Sequence, residues 1–304
     1  MISHAGSVMS AHDFDFLEYI NRRKAPESGR EEKTGFGEYA FAGDLRVLRR
    51  LDRARPVRIA VEATVRFWKA IQKGDLLGQS VKISRRQFPK LHDLVVQCAR
   101  ELDIALPTVY VNKNLASLNA GTYGTDDEAF IVLNSILVDR FEDDELKFVI
   151  GHECGHIQNN HVVYRTAANY LAQGVISFVK WAAVPARVAL NSWSRRGEIT
   201  CDRAGLLCCR DEQVALRVMM KMALGSQSLY EEMDLDAYLE QLDDLEDGVG
   251  RFQEYFASHP YLPKRVKALK LFAESSYYRE FIGEDGGTPL DEVDRQVEKI
   301  VQVM

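Results

Sequence analysis

Cysteine is scarce and irregularly placed in this chain of 304 residues. The five cysteines are Cys98, Cys154, Cys201, Cys208 and Cys209. They form neither a Cys-x-x-Cys pair nor an even framework, so the sequence excludes a disulfide-stapled scaffold. We therefore expect buried thiols, a reducing compartment and a cytoplasmic location.

An excess of basic residues and a long apolar run are also missing. The net charge of −6 and the pI of about 5.7 exclude a general electrostatic attraction to nucleic acid or to an anionic membrane. The most apolar stretch, residues 166–190, is interrupted by charged residues and a proline, and falls short of the roughly 20 apolar residues that cross a bilayer. It predicts a packed helix, with peripheral membrane contact as the alternative. The first ten residues carry no basic segment before an apolar one, so we expect no secretion signal.

The remaining composition is that of an ordered globular protein, because 46% of the residues are hydrophobic and 28% are charged. Residues 1–35 are polar and predict a flexible N-terminal segment. Apolar residues at helical spacing predict a helical extension over residues 36–84. The main domain is predicted over residues 85–275, followed by a helical tail over residues 276–304 that packs on or near it.

Strand signals in the main domain precede a series of helices. Residues 107–111 and 129–133 predict two strands, and the stretch 119–124 between them is rich in turn residues. The acids at 143–145 predict a helix that begins near Glu142, because the helix dipole favours negative charge in the first turn. The sequence therefore predicts an α+β fold that is predominantly helical, with a small sheet beside this helix.

This predicted helix carries the sequence Gly-His-Glu-Cys-Gly-His-Ile at residues 151–157. Residues four apart lie on one helix face, so His152 and His156 can offer two imidazoles to one metal ion. Glu153 is turned about 100° from the first histidine, where its carboxylate reaches a water at the metal as a general base. Cys154 lies on the opposite side, which predicts a buried thiol.

A catalytic zinc site has three protein ligands and one open position, so a third ligand is needed. Glu198 and Asp202 are four residues apart on a predicted helix downstream. Their spacing suits a metal ligand at Glu198 and, at Asp202, an acceptor for the free ring nitrogen of a ligand histidine. A solvated pair of acids on an exposed helix is the competing interpretation.

Four ordered blocks of sequence carry a family resemblance. They are Leu-Asn-Ala-Gly at 118–121, the motif helix at 144–161, Arg-Gly-Glu-Ile-Thr-Cys-Asp-Arg-Ala at 196–204, and Ser-His-Pro-Tyr-Leu-Pro-Lys-Arg-Val at 258–266. In these blocks the chain resembles the HtpX-like and CAAX prenyl endopeptidases, family forty-eight of the zinc metallopeptidases. The resemblance implies a zincin-like core over about 85–275, one zinc ion per chain and hydrolysis of peptide bonds.

The resemblance also implies roles for single residues. It implies that His152, His156 and Glu198 bind zinc. It also implies that Glu153 is the base and that Asp202 has an auxiliary role. Two features depart from the family. Cys201 stands where such proteins usually have alanine, and the spanning helices of the integral membrane members are not found in this sequence.

Two residues of the last block, and one at the end of the motif helix, are further candidates. His259 would donate to the tetrahedral oxyanion or take the fourth position at zinc, and Arg265 would pair with a site carboxylate or orient the substrate. A structural His-Pro loop is the alternative for His259. His161 lies five residues after His156, off the ligand face, and is interpreted as a packing or hydrogen-bonding residue.

These observations predict a zinc-dependent endopeptidase in which Glu153 activates a zinc-bound water. Proteins or peptides are the expected substrates, with protein quality control as the expected setting, and an extended substrate would pair with an exposed strand edge at 129–133. The oligomeric state is left open. The alternatives are a latent or non-cleaving metal-stabilised protein-binding module and a zinc hydrolase that acts on a non-peptide amide.

Overall fold

The computed structural model describes residues 36–67, 78–125, 128–172, 180–225, 229–230, 232–246 and 262–301. The predicted flexible segment 1–35 and the candidate His259 lie outside these described residues. Within them, none of the helices is long and apolar enough to cross a membrane.

Helices dominate the described residues. They are α1 (Ala42–Leu51), α2 (Arg55–Phe67), α3 (Pro89–Glu101), α4 (Ser135–Arg140), α5 (Asp143–Gln158), α6 (Val162–Ala172), α7 (Lys180–Cys209), α8 (Glu212–Leu224), α9 (Leu235–Glu246), α10 (Leu262–Ala273), α11 (Ser276–Phe281) and α12 (Leu290–Val301). The strands are β1 (Ser80–Lys82), β2 (Thr108–Asn112), β3 (Ala120–Thr125) and β4 (Glu128–Asn134). The predicted fold class, α+β and predominantly helical, is confirmed.

The four strands form one mixed sheet in the order β1-β2-β4-β3. β2 and β4 are parallel, whereas β1 and β3 pair antiparallel with their neighbours. The prediction of an exposed edge at 129–133 is therefore wrong, because β4 is hydrogen-bonded on both sides. Its residues 130–134 are all buried, as expected of a strand covered on both faces.

The turn-rich stretch 119–124 is mostly strand β3, which the sequence did not predict. Its glycines make room for close contacts instead of forming a loop. A Cβ at Gly121 would lie 2.9 Å from the ring of Tyr123. Gly124 has φ +118°, and a Cβ there would lie 2.0 Å from the carbonyl oxygen of Glu128 on the neighbouring strand. β3 forms one edge of the sheet and lies beside the motif helix.

The motif helix α5 begins where the sequence predicts. Glu142 is its N-cap residue, and its backbone N–H donates to Oε2 of Glu145 at 2.9 Å in a capping box. Both carboxylate oxygens of Glu145 also accept hydrogen bonds from Nζ of Lys221, at 2.8 and 3.0 Å. The start of α5 is thus fixed to α8 as well as capped.

Helices α5 and α7 cross at very short range because glycines face the contact. A Cβ at Gly151 of α5 would lie 2.6 Å from Cβ of Cys208, and one at Gly155 would lie 2.8 Å from Cβ of Ala204. On α7, a Cβ at Gly205 would lie 2.8 Å from the carbonyl oxygen of Phe148. This crossing brings the histidine face of α5 against the acidic face of α7.

We expect Gly151→Ala to destabilise the fold by about 1–3 kcal/mol, because the added methyl group overpacks the contact with Cys208. Thermal or urea unfolding measures the loss. Gly78→Ala is the matched control, since a Cβ at Gly78 meets nothing within 4 Å and its stability should be unchanged or slightly higher. Equal stability of both variants would show that the crossing tolerates a side chain.

Candidate active site

Three donor groups converge where α5 faces α7. Nε2 of His152 lies 3.5 Å from Oε2 of Glu198, and Nε2 of His156 lies 3.6 Å from Oε1 of the same carboxylate. A tetrahedral zinc ion with bonds of 2.0–2.2 Å separates its ligand atoms by about 3.3–3.6 Å. The spacing and the nitrogen and oxygen donors of these buried side chains therefore fit a zinc ion.

Asp202 and Arg265 stand behind the first histidine. Oδ1 of Asp202 lies 3.0 Å from Nδ1 of His152. Arg265 donates from Nε to Oδ2 of Asp202 at 2.8 Å and from Nη2 to Oδ1 at 2.6 Å. Burial raises the pKa of Asp202, but Arg265 and His152 outweigh burial and lower it below its usual range. An ionised Asp202 accepts a hydrogen bond from the Nδ1–H of His152, which leaves Nε2, the nitrogen that faces Glu198, as the one available to a metal.

The pKa values of the two imidazoles, His152 and His156, shift in opposite directions. Burial lowers the pKa of His152, but contacts with the carboxylates of Asp202 and Glu198 outweigh burial and raise it to about 9. Burial and the neighbouring Arg165 hold the pKa of His156 well below its usual value. The difference follows from the neighbours, because a carboxylate stabilises the imidazolium and a guanidinium destabilises it.

Glu153 is held by a residue that the sequence did not indicate. The hydroxyl of Thr122 on β3 lies 2.6 Å from Oε2 of Glu153 and 3.2 Å from its backbone oxygen. Both residues are buried. Thr122 lay in the stretch predicted as turns, so no local pattern could connect it to the motif helix. The strand β3 thereby orients the candidate base.

Arg165 on α6 was also missed. Its Nη1 donates to Oε1 of Glu198 at 2.7 Å and contacts Nε2 of His156. Arg165 follows His156 by nine residues and lies on the next helix. The turn between the two helices places its side chain beside His156. With Arg265, whose Nη1 lies 3.4 Å from Oε2 of Glu198, Arg165 balances the charge of the carboxylates.

Cys201 and His161 lie against the far side of His156. Sγ of Cys201 and Nδ1 of His161 each lie 3.1 Å from Nδ1 of His156. In the described residues, His152, His156 and Cys201 also form a group whose ligand atoms lie within 4.8 Å of one another. Cys201 approaches Nδ1 of His156, however, whereas Glu198 faces Nε2 of both histidines. Burial raises the pKa of the Cys201 thiol well above its usual value.

The donor groups open into a cavity of about 490 Å³. Its polar wall is formed by His152, Glu153, Arg165, Glu198 and Arg265. The other lining residues are Asn119, Ala120, Phe148, Val149, Met219, Met222, Ala223, Tyr238 and Leu262. The cavity thus combines a charged site with a mainly apolar wall, as small-molecule and peptide sites commonly do.

Residues 85–273 match the family model described as Peptidase family M48. The chain is 32% identical over 218 residues to the plastoglobule-localized metallopeptidase 48, chloroplastic, of Arabidopsis thaliana, which covers 68% of this chain and 63% of that protein. It is 23% identical over 215 residues to a protease HtpX homolog of Salinibacter ruber, which covers 63% of this chain and 77% of that protein.

The aligned region therefore spans slightly less than two thirds of the Arabidopsis relative. No solved structure matches the chain. Both helices that carry the converging donors, with residues from His152 to Asp202, lie inside the region matched by the family model. The chain belongs to peptidase family M48.

Proposed function

We propose that this protein is a zinc-dependent endopeptidase that holds one zinc ion with His152, His156 and Glu198. The observation that carries the proposal is the 3.5 and 3.6 Å spacing of their donor atoms at the wall of a cavity that also contains Glu153. When bound there, zinc polarises a scissile carbonyl group and lowers the pKa of a water molecule. Membership of the metallopeptidase family supports this chemistry.

Glu153 is the proposed general base. Its carboxylate takes a proton from the attacking water and delivers it to the amine that leaves. The hydroxyl of Thr122, 2.6 Å from Oε2, fixes the carboxylate at the cavity wall. A base that is already oriented does not need to be ordered during the reaction, which lowers the entropic part of the barrier.

Arg165 is the proposed group that stabilises negative charge on the substrate. It lies at the cavity wall, and its guanidinium contacts Glu198. Its Nη1 contacts Nε2 of His156 and Oε1 of Glu198, so a zinc ion held by these atoms would displace it toward the cavity. There a cation beside the reacting carbonyl would stabilise the oxyanion of the tetrahedral state. The sequence had suggested this role for His259, which lies outside the described residues.

Strand β3 is the proposed docking edge for the substrate backbone. The N–H of Asn134 donates to the carbonyl of Asn119 at 3.1 Å, so this opposed pair is hydrogen-bonded. Since such pairs alternate along an antiparallel ladder, the backbone groups of Ala120 face away from β4, and this residue lines the cavity. Its N–H donates to Oδ1 of Asn119 at 3.0 Å, so its carbonyl oxygen is the group that a substrate N–H would meet. An extended peptide that pairs there needs no free terminus, which favours internal cleavage.

The apolar wall favours substrates with an apolar side chain near the scissile bond. Met219, Met222 and Leu262 contribute apolar side chains to the cavity wall. Methionine side chains adapt to different shapes, so this wall suits a class of apolar residues better than one residue type. Such segments are exposed when a protein unfolds, which agrees with the predicted role in quality control.

We expect Glu153→Gln to bind zinc like the parent and to cleave an unfolded protein about 100- to 10,000-fold more slowly, because the base is lost. Bound zinc and the rate of digestion of reduced casein measure the two properties. Glu240→Gln removes an exposed carboxylate on α9 and should leave both unchanged. Retained cleavage in Glu153→Gln would remove Glu153 as the base, and a parent that binds zinc and casein without cleaving it would indicate a binding module.

The third ligand is tested by two substitutions on α7. Glu198→Gln should weaken zinc binding by more than the ~10–100-fold that loss of a supporting hydrogen bond costs, because a ligand charge is removed. Cys201→Ala should bind zinc like the parent, since its thiol faces Nδ1 of His156. Competition against a chromophoric chelator gives both affinities. The reverse ranking would assign the third position to Cys201.

A further inference from the structure

Asp44 is a carboxylate with no exposed surface, and it lies before the family-matched region 85–273. Burial of a carboxylate is unfavourable unless hydrogen bonds replace its water. Nε1 of Trp193 donates to its Oδ1 at 2.8 Å, and the hydroxyl of Thr200 donates to its Oδ2 at 2.7 Å. Both donors belong to α7, so α1 places a charge against the helix that carries Glu198.

His161 is the third neighbour of this carboxylate. Its Nε2 lies 3.0 Å from Oδ2 of Asp44, a close charge contact whose geometry is not that of a hydrogen bond. The imidazole is fully buried, and its ring centroid lies 5.1 Å from that of Trp193 in an edge-to-face arrangement. A Cβ at Gly197 would lie 3.3 Å from the same ring, so the glycine leaves space for it.

The other nitrogen of His161 points at a proposed zinc ligand. Its Nδ1 lies 3.1 Å from Nδ1 of His156. If Nε2 of His156 binds zinc, Nδ1 carries the proton and must donate it. Sγ of Cys201 is equally near, but a thiol sulfur is a weaker acceptor than an imidazole nitrogen. His161 then carries its own proton on Nε2, the atom that faces Asp44.

We propose that Asp44 is a positioning residue for the zinc site and acts on His156 through His161. The inference rests on the proposed function, because it assumes that His156 binds zinc through Nε2. In this arrangement each of the two ligand histidines is oriented by a buried carboxylate. Asp202 contacts His152 directly, whereas Asp44 reaches His156 through a second imidazole. Helix α1, outside the matched region, would thus belong to the metal-holding unit.

The segment that carries Asp44 is fixed to the same helices by its backbone. Phe41 N–H donates to the hydroxyl of Thr200 at 3.2 Å, and Gly37 N–H donates to Oδ1 of Asn159 at the end of α5 at 3.1 Å. On its outer side, α1 is held by α12, where Oε2 of Glu298 accepts from Nη2 of Arg46 at 3.0 Å. These outer contacts do not touch His161, so they supply a control.

The test measures zinc affinity of the full chain by competition with a chromophoric chelator. We expect Asp44→Asn to bind zinc about 10- to 100-fold more weakly, as expected when the support of a ligand histidine is lost. Arg46→Gln removes the ion pair between α1 and α12 and should keep the parent affinity. Equal losses in both variants, or no loss in Asp44→Asn, would overturn the inference.

A double-mutant comparison tests whether the effect passes through His161. His161→Gln should weaken zinc binding like Asp44→Asn, and adding Asp44→Asn to His161→Gln should cause no further loss. Additive losses would contradict the relay. Parent affinity in His161→Gln would also contradict it, and this result stands even if Asp44→Asn does not fold. If the parent protein binds no zinc, the proposed function is refuted together with the role of Asp44. If the parent binds zinc and Asp44→Asn binds it equally well, only the role of Asp44 is refuted.

Discussion

The close crossing of α5 and α7 is the constraint on which the site depends. Gly151 and Gly155 leave no side chain between the two helices, so their backbones approach until Cβ atoms of α7 fill the space. Only at this distance does the carboxylate of Glu198 reach Nε2 of both histidines. Because protein interiors are densely packed, a larger residue here would displace the donor atoms as well as cost stability.

Charge is balanced around this crossing by residues from several elements. Glu198 contacts the guanidinium groups of both Arg165 and Arg265, Asp202 pairs with Arg265, and all four side chains are largely buried. In a medium of low dielectric, unpaired charges would be strongly unfavourable, so each carboxylate has a cation within hydrogen-bonding or ion-pair distance.

Helical periodicity allowed the sequence to predict which site residues share one face of a helix. His152, Glu153, His156, Glu198 and Asp202 were placed on two helices, and the structure brings these helices together. Thr122, Arg165 and Asp44 could not be found in this way, because their partners lie 31, 33 and 149 residues away and only tertiary packing joins them. β3 was missed for a related reason, since its glycines fit neighbours that the sequence alone does not reveal.

The size of the cavity bears on which proteins the proposed endopeptidase would degrade. A space of about 490 Å³ holds a few residues of extended chain, and a folded domain is far too large to enter it. Cleavage would then require a substrate segment to leave its own fold first. When such opening is fast, the rate of degradation follows the equilibrium fraction of open molecules. Selectivity among proteins would therefore depend on their local stability more than on their sequence.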